Sequence, residues 1–377
     1  MRLSCLQENL RRGLASVSRA AAHKSTLPIL SHILVASDAG RLKLAATNLD
    51  MGILTWVGAR VVAEGAITVP ARLLNDVIAG LPNDIIDLSL DSASQTLHLR
   101  CGDFAVAMKG IEADEFPVIP TVSAGEPSVN LPAGSWREVI EQVIFAAATD
   151  DTRPLLTGVA FHLGACEATL TASDGFRLAR RTLPLPQPVA TPMDVLIPAR
   201  ALAEVARNIG DSTGQVQIAV ATSGAQIAFR AEQTEVVSRL IAGQYPDVQR
   251  IIPGSYRTRA VLDRHQLTQA IRLAAYFAPA ATDVVKVQID AGSDQAPGRL
   301  TISATAAEIG ENHTVREGII SGEGGQILLN VGYVADVLHA ITTSHLALEL
   351  QNAQSPAVFK PVGADDYVCV IMPMHMR

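Results

Sequence analysis

The chain alternates between two hydrophobic periods. In residues 7–22, Leu10, Leu14, Val17 and Ala21 recur at three- and four-residue spacing, which predicts a helix with one apolar stripe. The spacing returns with Trp136, Val139, Ile140, Val143 and Ile144 in 132–148, and with Leu267, Ile271 and Ala274 in 264–278. A second helical set covers 70–80, 198–209 and 330–343. Its stripes are Leu73, Val77 and Leu81, then Leu202, Ala206 and Ile209, then Val334, Val337, Leu338 and Ile341. Pro70 and Pro198 open the first two, where a first helical turn tolerates a missing N–H; Asn330 stands there in the third. Between helices the period falls to two. HILVASDAGRLKLAATN, GVAFHLGACEATLTASD and VVKVQIDAGSDQAPGRLTISATA each alternate around a Gly, Asp or Ser turn, which predicts hairpins.

Strand, helix, strands, helix, strands therefore occurs three times, the copies about 130 residues apart. The expectation is an α+β chain of three domains, 1–125, 126–254 and 255–377. The Pro-bearing segments FPVIPTVSAGEP (116–127) and YPDVQRIIPGS (245–255) mark the boundaries. LPLPQPVATP (183–192) reads as an extended loop inside the middle domain, because strand and helix signals continue on both sides. SGEGGQ (321–326) reads as a hairpin turn rather than a phosphate cradle.

Composition narrows the class. The chain has 377 residues, 48% hydrophobic and 18% charged, enough for a core in each third. No apolar run reaches the roughly 18 residues of a membrane span. Four scattered cysteines, Cys5, Cys101, Cys166 and Cys369, suit a reducing cytoplasm. The first 22 residues are rich in Arg and Ser with Glu8 as the one acid, a transit-peptide-like composition. Their strand-then-helix pattern returns internally, so they read as the first element of the repeat.

Charge is unevenly placed. Formal net charge is −7, yet the six helical windows hold nine arginines, Arg11, Arg12, Arg19, Arg72, Arg137, Arg200, Arg207, Arg264 and Arg272, against six acids. Arginine suits phosphate contacts; solvated helix faces are the plainer reading unless the repeat brings the helices onto one surface. Catalytic chemistry is not apparent. The nine histidines make no HxxxH or HExxH pair, and no phosphate-binding GxxxxGK or nucleophile-elbow GxSxG motif is present. No metal or cofactor is expected. ASDGFRLARR (172–181) and its counterpart ATNLDMGI (46–53) recur at equivalent places, as structural turns do. The tail YVCVIMPMHMR is unusually apolar: Val368 and Val370 suit a strand, whereas Met372, Pro373 and Met374 suit a pocket for varied peptides.

Eight segments in order, STLPILSHIL, ATNLD, TVPAR, ADEFP, ASDGFRLA, YPDVQRIIP, NVGYVADVL and YVCVIMPM, carry a resemblance along the whole length to the bacterial DNA polymerase III beta-subunit (sliding clamp) family. The resemblance implies three repeated clamp domains in a head-to-tail homodimeric ring, helices lining a central hole and antiparallel sheets outside. It implies double-stranded DNA held without sequence readout, and partner peptides from the polymerase alpha subunit, the clamp loader and other motif-bearing proteins. The implied peptide pocket is Leu156, Ser173, Gly175, Phe176, Arg177, Leu178, Pro246, Arg250, Ile251, Tyr333, Val370, Ile371, Met372, Pro373 and Met374. Lys24 and Arg153 match DNA-associated positions, and Arg11, Arg72, Arg137, Arg200, Arg207, Arg264 and Arg272 would join them. The implied seam sets Val106 and Met108 against Tyr276 and Phe277. His375, Met376 and Arg377 depart from the usual ending, and Asp150 places a carboxylate where phosphate would be repelled. A clamp paralogue with a decoy or inhibitor-resistance role, or a repeat-built enzyme, are the rival readings.

Overall fold

The structure, a computed structural model, describes residues 1–22, 25–121, 128–189, 192–221, 224–278, 283–292, 297–306 and 310–374. Among these residues six α-helices form: α1 (Gln7–Val17), α2 (Ala71–Gly80), α3 (Ala133–Val143), α4 (Ala199–Ile209), α5 (Arg264–Ala275) and α6 (Val331–Ala340). All strand pairings are antiparallel, so the chain is α+β.

Contacts divide the chain into two compact units, Met1–Arg137 with Arg200–Leu240, and Glu138–Ala199 with Ile241–Arg377. The first holds a five-stranded sheet, in order Arg60–Ala63, Arg2–Leu6, Ile85–Asp91, Thr96–Cys101 and Phe104–Lys109. It also holds a nine-stranded sheet, in which Met51–Val57 lies beside Thr234–Arg239. The second unit holds a twelve-stranded sheet, in which Arg177–Pro184 lies beside Tyr367–Ile371. Both large sheets thus join strands of different sequence repeats. The backbone ladder follows strand edges, not sequence order, so the compact units cut through the middle repeat.

Each large sheet carries a strap over its junction. Phe116 packs on Ala45 and Leu54 from one side and Ala228 and Val237 from the other, with Ile119 beside it. In the second unit Val248 packs on Leu178 from one side and Val358 and Val370 from the other, flanked by Tyr245 and Ile252. The two Pro-bearing segments read as boundaries are therefore also apolar covers.

All three expected hairpins form. In the first, Asp38 pairs Arg41 across Ala39 and Gly40, both at positive φ (49° and 74°), the two-residue turn that matches strand twist. Two expectations are corrected. The buried stripe of α2 is Ala71, Leu74 and Ile78, and Leu73 is 46% exposed. Two neighbouring apolar rows, Leu73 and Val77 or Leu74 and Ile78, satisfy the same period, and the docking of α2 selects the second. SGEGGQ does not close a hairpin: Gly310–Gly322 pairs Gly298–Ala306, whereas Gly325–Asn330 pairs Val284–Asp290. A Cβ on Gly322 (φ +100°) would lie 1.8 Å from the Arg257 carbonyl oxygen, so this crossover requires glycine.

Each repeat pins the end of its second helix with a side chain from the N-terminal half of its first. The Gln7 amide donates to the Ile78 carbonyl (2.7 Å) at the end of α2. Arg137 donates to the Gly210 carbonyl (2.7 Å) just past α4. Arg264 donates to the carbonyls of Thr343 (3.0 Å) and Leu338 (3.4 Å) at the end of α6. The last carbonyls of a helix lack internal partners, and these donors satisfy them. Replacing Arg264 with Ala should lower stability by about 1–3 kcal/mol, read as an earlier thermal unfolding transition; an unchanged transition would show the pin to be dispensable.

Candidate functional site

The motif ASDGFR folds into a self-bonded turn. The Ser173 hydroxyl donates to the Arg177 carbonyl (2.7 Å) and accepts from the Gly175 amide (3.1 Å). One Asp174 carboxylate oxygen accepts from the amides of Phe176 (2.8 Å) and Arg177 (2.9 Å). Gly175 sits at φ +91°, and a Cβ there would lie 2.6 Å from an Arg153 guanidinium nitrogen. ATNLDM builds the same turn: the Leu49 amide donates to Thr47 (3.0 Å), and the amides of Asp50 (3.1 Å) and Met51 (2.8 Å) donate to Asn48. The shared frame is structural. The second copy differs by presenting Phe176, 55% exposed, where the first has Asp50.

Arg177 joins this turn to α6. Its Nε donates to the second Asp174 oxygen (3.0 Å), and Nη1 pairs with Asp336. The guanidinium lies over the Tyr333 ring (4.4 Å to the centroid) and the Phe145 ring (5.5 Å). The side chain is only 12% exposed, so its charge needs both carboxylates. Burial raises the Tyr333 phenol above its ordinary pKa, with Asp174 adding to the shift. Burial likewise pushes the Tyr245 phenol up to about 12. Both rings stay neutral at physiological pH and offer apolar wall.

The tail closes the site. The Met372 amide donates to the Phe176 carbonyl and the Met374 amide to the Leu328 carbonyl, each at 2.8 Å. Met372, Pro373 and Met374 are half-buried. Val370, Ile371 and Leu178 are at most 2% exposed, so they form a floor rather than a contact surface. Leu156, 9% exposed, sits in the turn Pro154–Thr157 beside Arg153, whose guanidinium lies over the Phe176 ring (5.8 Å). Pro246 and Ile251 are exposed on the strap, and Arg250 pairs with Asp247 (2.8 Å). Sequence reading missed Asp174, Asp336 and Phe145. Asp174 lay inside the quoted motif and Asp336 one helical turn past Tyr333; Phe145 carried no sequence signal.

The arginines divide. Arg11 and Arg272 are exposed and make no ion pair with a described residue, and Arg72 reaches Asp76 only at 3.9 Å. Arg200 pairs with Asp50 (3.1 Å) and Arg207 with Glu204. Arg137 also holds Asp211 (2.8 Å), so it and Arg264 are occupied as helix pins, and Arg153 lies over the Phe176 ring. Lys24, His375, Met376 and Arg377 lie outside the described residues. The Thr152 hydroxyl and amide donate to Asp150 and hold its carboxyl below the usual range, which keeps the anion that the sequence reading flagged. At the expected seam, Val106 is half-buried and Met108 is 2% exposed, facing its own sheet; Tyr276 is 71% exposed and Phe277 half-buried.

Comparison with known proteins places this geometry. Residues 1–120, 130–247 and 249–375 match the N-terminal, central and C-terminal domain models of the DNA polymerase III beta subunit. The chain is 33% identical to the beta sliding clamp of Synechococcus elongatus over the full length of both. It is 30% identical to that of Staphylococcus aureus, covering 95% of this chain and 94% of the relative. The sliding clamp structure from Bacillus subtilis superposes with a TM-score of 0.93 at 24% identity, and that from Pseudomonas aeruginosa bound to griselimycin with 0.92 at 28%, each covering both chains fully. The chain belongs to the DNA polymerase III beta-subunit family, the bacterial DNA sliding clamps.

Proposed function

We propose that two copies close head to tail into a ring around duplex DNA and present the turn-and-tail site to short apolar peptides. Those peptides would come from the polymerase alpha subunit, the clamp loader and other proteins carrying the same motif. Each copy would supply three clamp domains, 1–125, 126–254 and 255–377, work in the cytoplasm and act as a tether with no catalytic group of its own. Among the described residues no helix is long and apolar enough to cross a membrane.

One observation carries the ring: among the described residues, the strands that correspond to the internal junctions leave one pair of edges unpaired. Two inter-repeat junctions form inside it, at Met51–Val57 with Thr234–Arg239 and at Arg177–Pro184 with Tyr367–Ile371. The corresponding strands left over are Phe104–Lys109, at the edge of the five-stranded sheet, and Gly310–Gly318. The latter pairs Gly298–Ala306 on one side and no described strand on the other before Ile319 meets Val261. Open edges are liabilities, and two head-to-tail copies pair both, giving a closed contact. Phe277 supports this seam: its ring lies 3.9 Å from where a Cβ on Gly310 would stand. Met108 would contribute backbone rather than side chain.

The exposed Arg11, Arg72 and Arg272 supply phosphate contacts of the non-specific, salt-sensitive kind, which suits sliding. The test is topological. The protein is loaded onto nicked circular DNA with its host's clamp loader, washed at high salt, and the DNA linearised. Retention on circles with loss from linear DNA is expected. Equal loss from both would mean ordinary electrostatic binding and return the paralogue reading.

A further inference from the structure

Among the described residues the five-stranded sheet has no strap. Phe116 and Val248 cover the junction faces of the two larger sheets, but one face of this sheet is an open groove of about 750 Å³. Strand alternation decides what lines it. Leu3 and Cys5 point into the core, so Arg2 and Ser4 point out; Ile86 and Leu88 are buried, so Asp87 and Ser89 point out. Register then gives two rows across the strands. One runs Arg60, Ser4, Asp87, Arg100, Ala105, and the other Arg2, Ser89, His98, Ala107.

Three arginines thus face one carboxylate, in a chain whose net charge is −7. Arg2, Arg60 and Arg100 are exposed, and their guanidinium groups make no hydrogen bond or ion pair with a described residue. Concentrating unpaired cations in a concave face gives a positive local potential against a negative whole. The groove therefore takes an anion. Guanidinium forks pair bidentately with carboxylate or phosphate, so the shape must choose between peptide and nucleic acid. The lining residues include no Phe, Tyr or Trp and a single imidazole, His98, whereas single strands are held largely by successive bases stacking on several rings. Val62, Ala105 and Ala107 instead offer apolar and small positions between the charges. Arg60 and Arg100 stand three strands apart, about 14 Å at the usual strand spacing. Residues four apart on an extended peptide span about the same distance.

We infer that this groove docks an extended acidic segment of a protein partner, at a site separate from the turn-and-tail pocket. Arg60 and Arg100 each grip one carboxylate, four residues apart, and Arg2 is available to a third. The cations lie on strands other than the open edge Phe104–Lys109, so ring closure leaves them accessible.

The probe is fluorescein-labelled octaglutamate, with an oligothymidylate of eight nucleotides as the rival anion, titrated against the full-length protein at low salt. Octaglutamate should bind, and should bind about tenfold or more weakly to R60E/R100E, with R60Q/R100Q intermediate. Loading onto DNA and binding of a pocket peptide should be unchanged in both variants, which separates this result from a failure of the ring or pocket reading. No binding of octaglutamate to the natural protein, or equal binding to the R60E/R100E form, overturns the inference. Oligothymidylate binding that is lost in R60E/R100E overturns it in favour of a nucleic-acid surface.

Discussion

A chain ending at Ile371 is expected to lose its partner peptides while keeping its ring. Truncation removes the Met372 and Met374 amides that tie the tail to Phe176 and Leu328, and with them three half-buried apolar side chains that face a docked peptide in the proposed pocket. It leaves Val370 and Ile371, which complete the sheet between Arg177–Pro184 and Ala357–Pro361. A small number of buried anchors carries most of the energy at such interfaces, about 2–4 kcal/mol each. Affinity for a labelled clamp-binding peptide should therefore fall about a hundredfold or more, measured by fluorescence anisotropy. Sedimentation velocity should still report the dimer. Unchanged peptide affinity would remove the tail from the site; loss of the dimer as well would mean that the tail serves the fold.

The second large effect is expected at the seam. Phe277→Asp should convert the dimer to monomers, because closing the joint would bury a carboxylate with no cation assigned to it, a cost of several kcal/mol. Phe277 is half-buried in its own chain, so the substitution could also disturb the end of α5. Tyr276→Asp separates the two effects, since Tyr276 is 71% exposed and holds nothing in its own core. Monomers from both variants with unchanged thermal unfolding support the seam. A dimer persisting in both refutes it, and a lowered unfolding temperature for Phe277→Asp alone assigns that residue to the fold.

Much of this molecule was legible before its coordinates, and the failures have physical causes. Helices announced themselves wherever one apolar row was unambiguous, as with Trp136, Val139, Ile140 and Val143. The α2 stripe did not, because two adjacent rows obey the same period and only packing selects between them. Hairpins were readable from alternation, but SGEGGQ was not, because a turn signal does not say which strand comes next in the sheet. In the site, Ser173 to Leu178 were visible as a recurring motif. Asp336 was not: a lone acid on a helix says nothing until Arg177 arrives from about 160 residues away. Arg264 shows the opposite error. It counted as a surface cation by type, yet its Nε and Nη1 donate to carbonyls at and just past the end of α6.

The straps bear on how such a ring would come apart. Inside each copy, two joints are doubly fastened, by a ladder of backbone hydrogen bonds and by an apolar cover lying across it. The proposed joint between copies would have its ladder and the flanking Tyr276 and Phe277 side chains, but among the described residues no strap like those of Phe116 and Val248 is assigned to it. Hydrogen bonds in a short edge ladder can be broken one at a time from an end, whereas an apolar cover resists until it lifts as a block. Under load the proposed intermolecular joint would then be the one to yield first. A loader that needs an opening for DNA would have no cause to bend the chain's own joints: such a ring would be built with a gate.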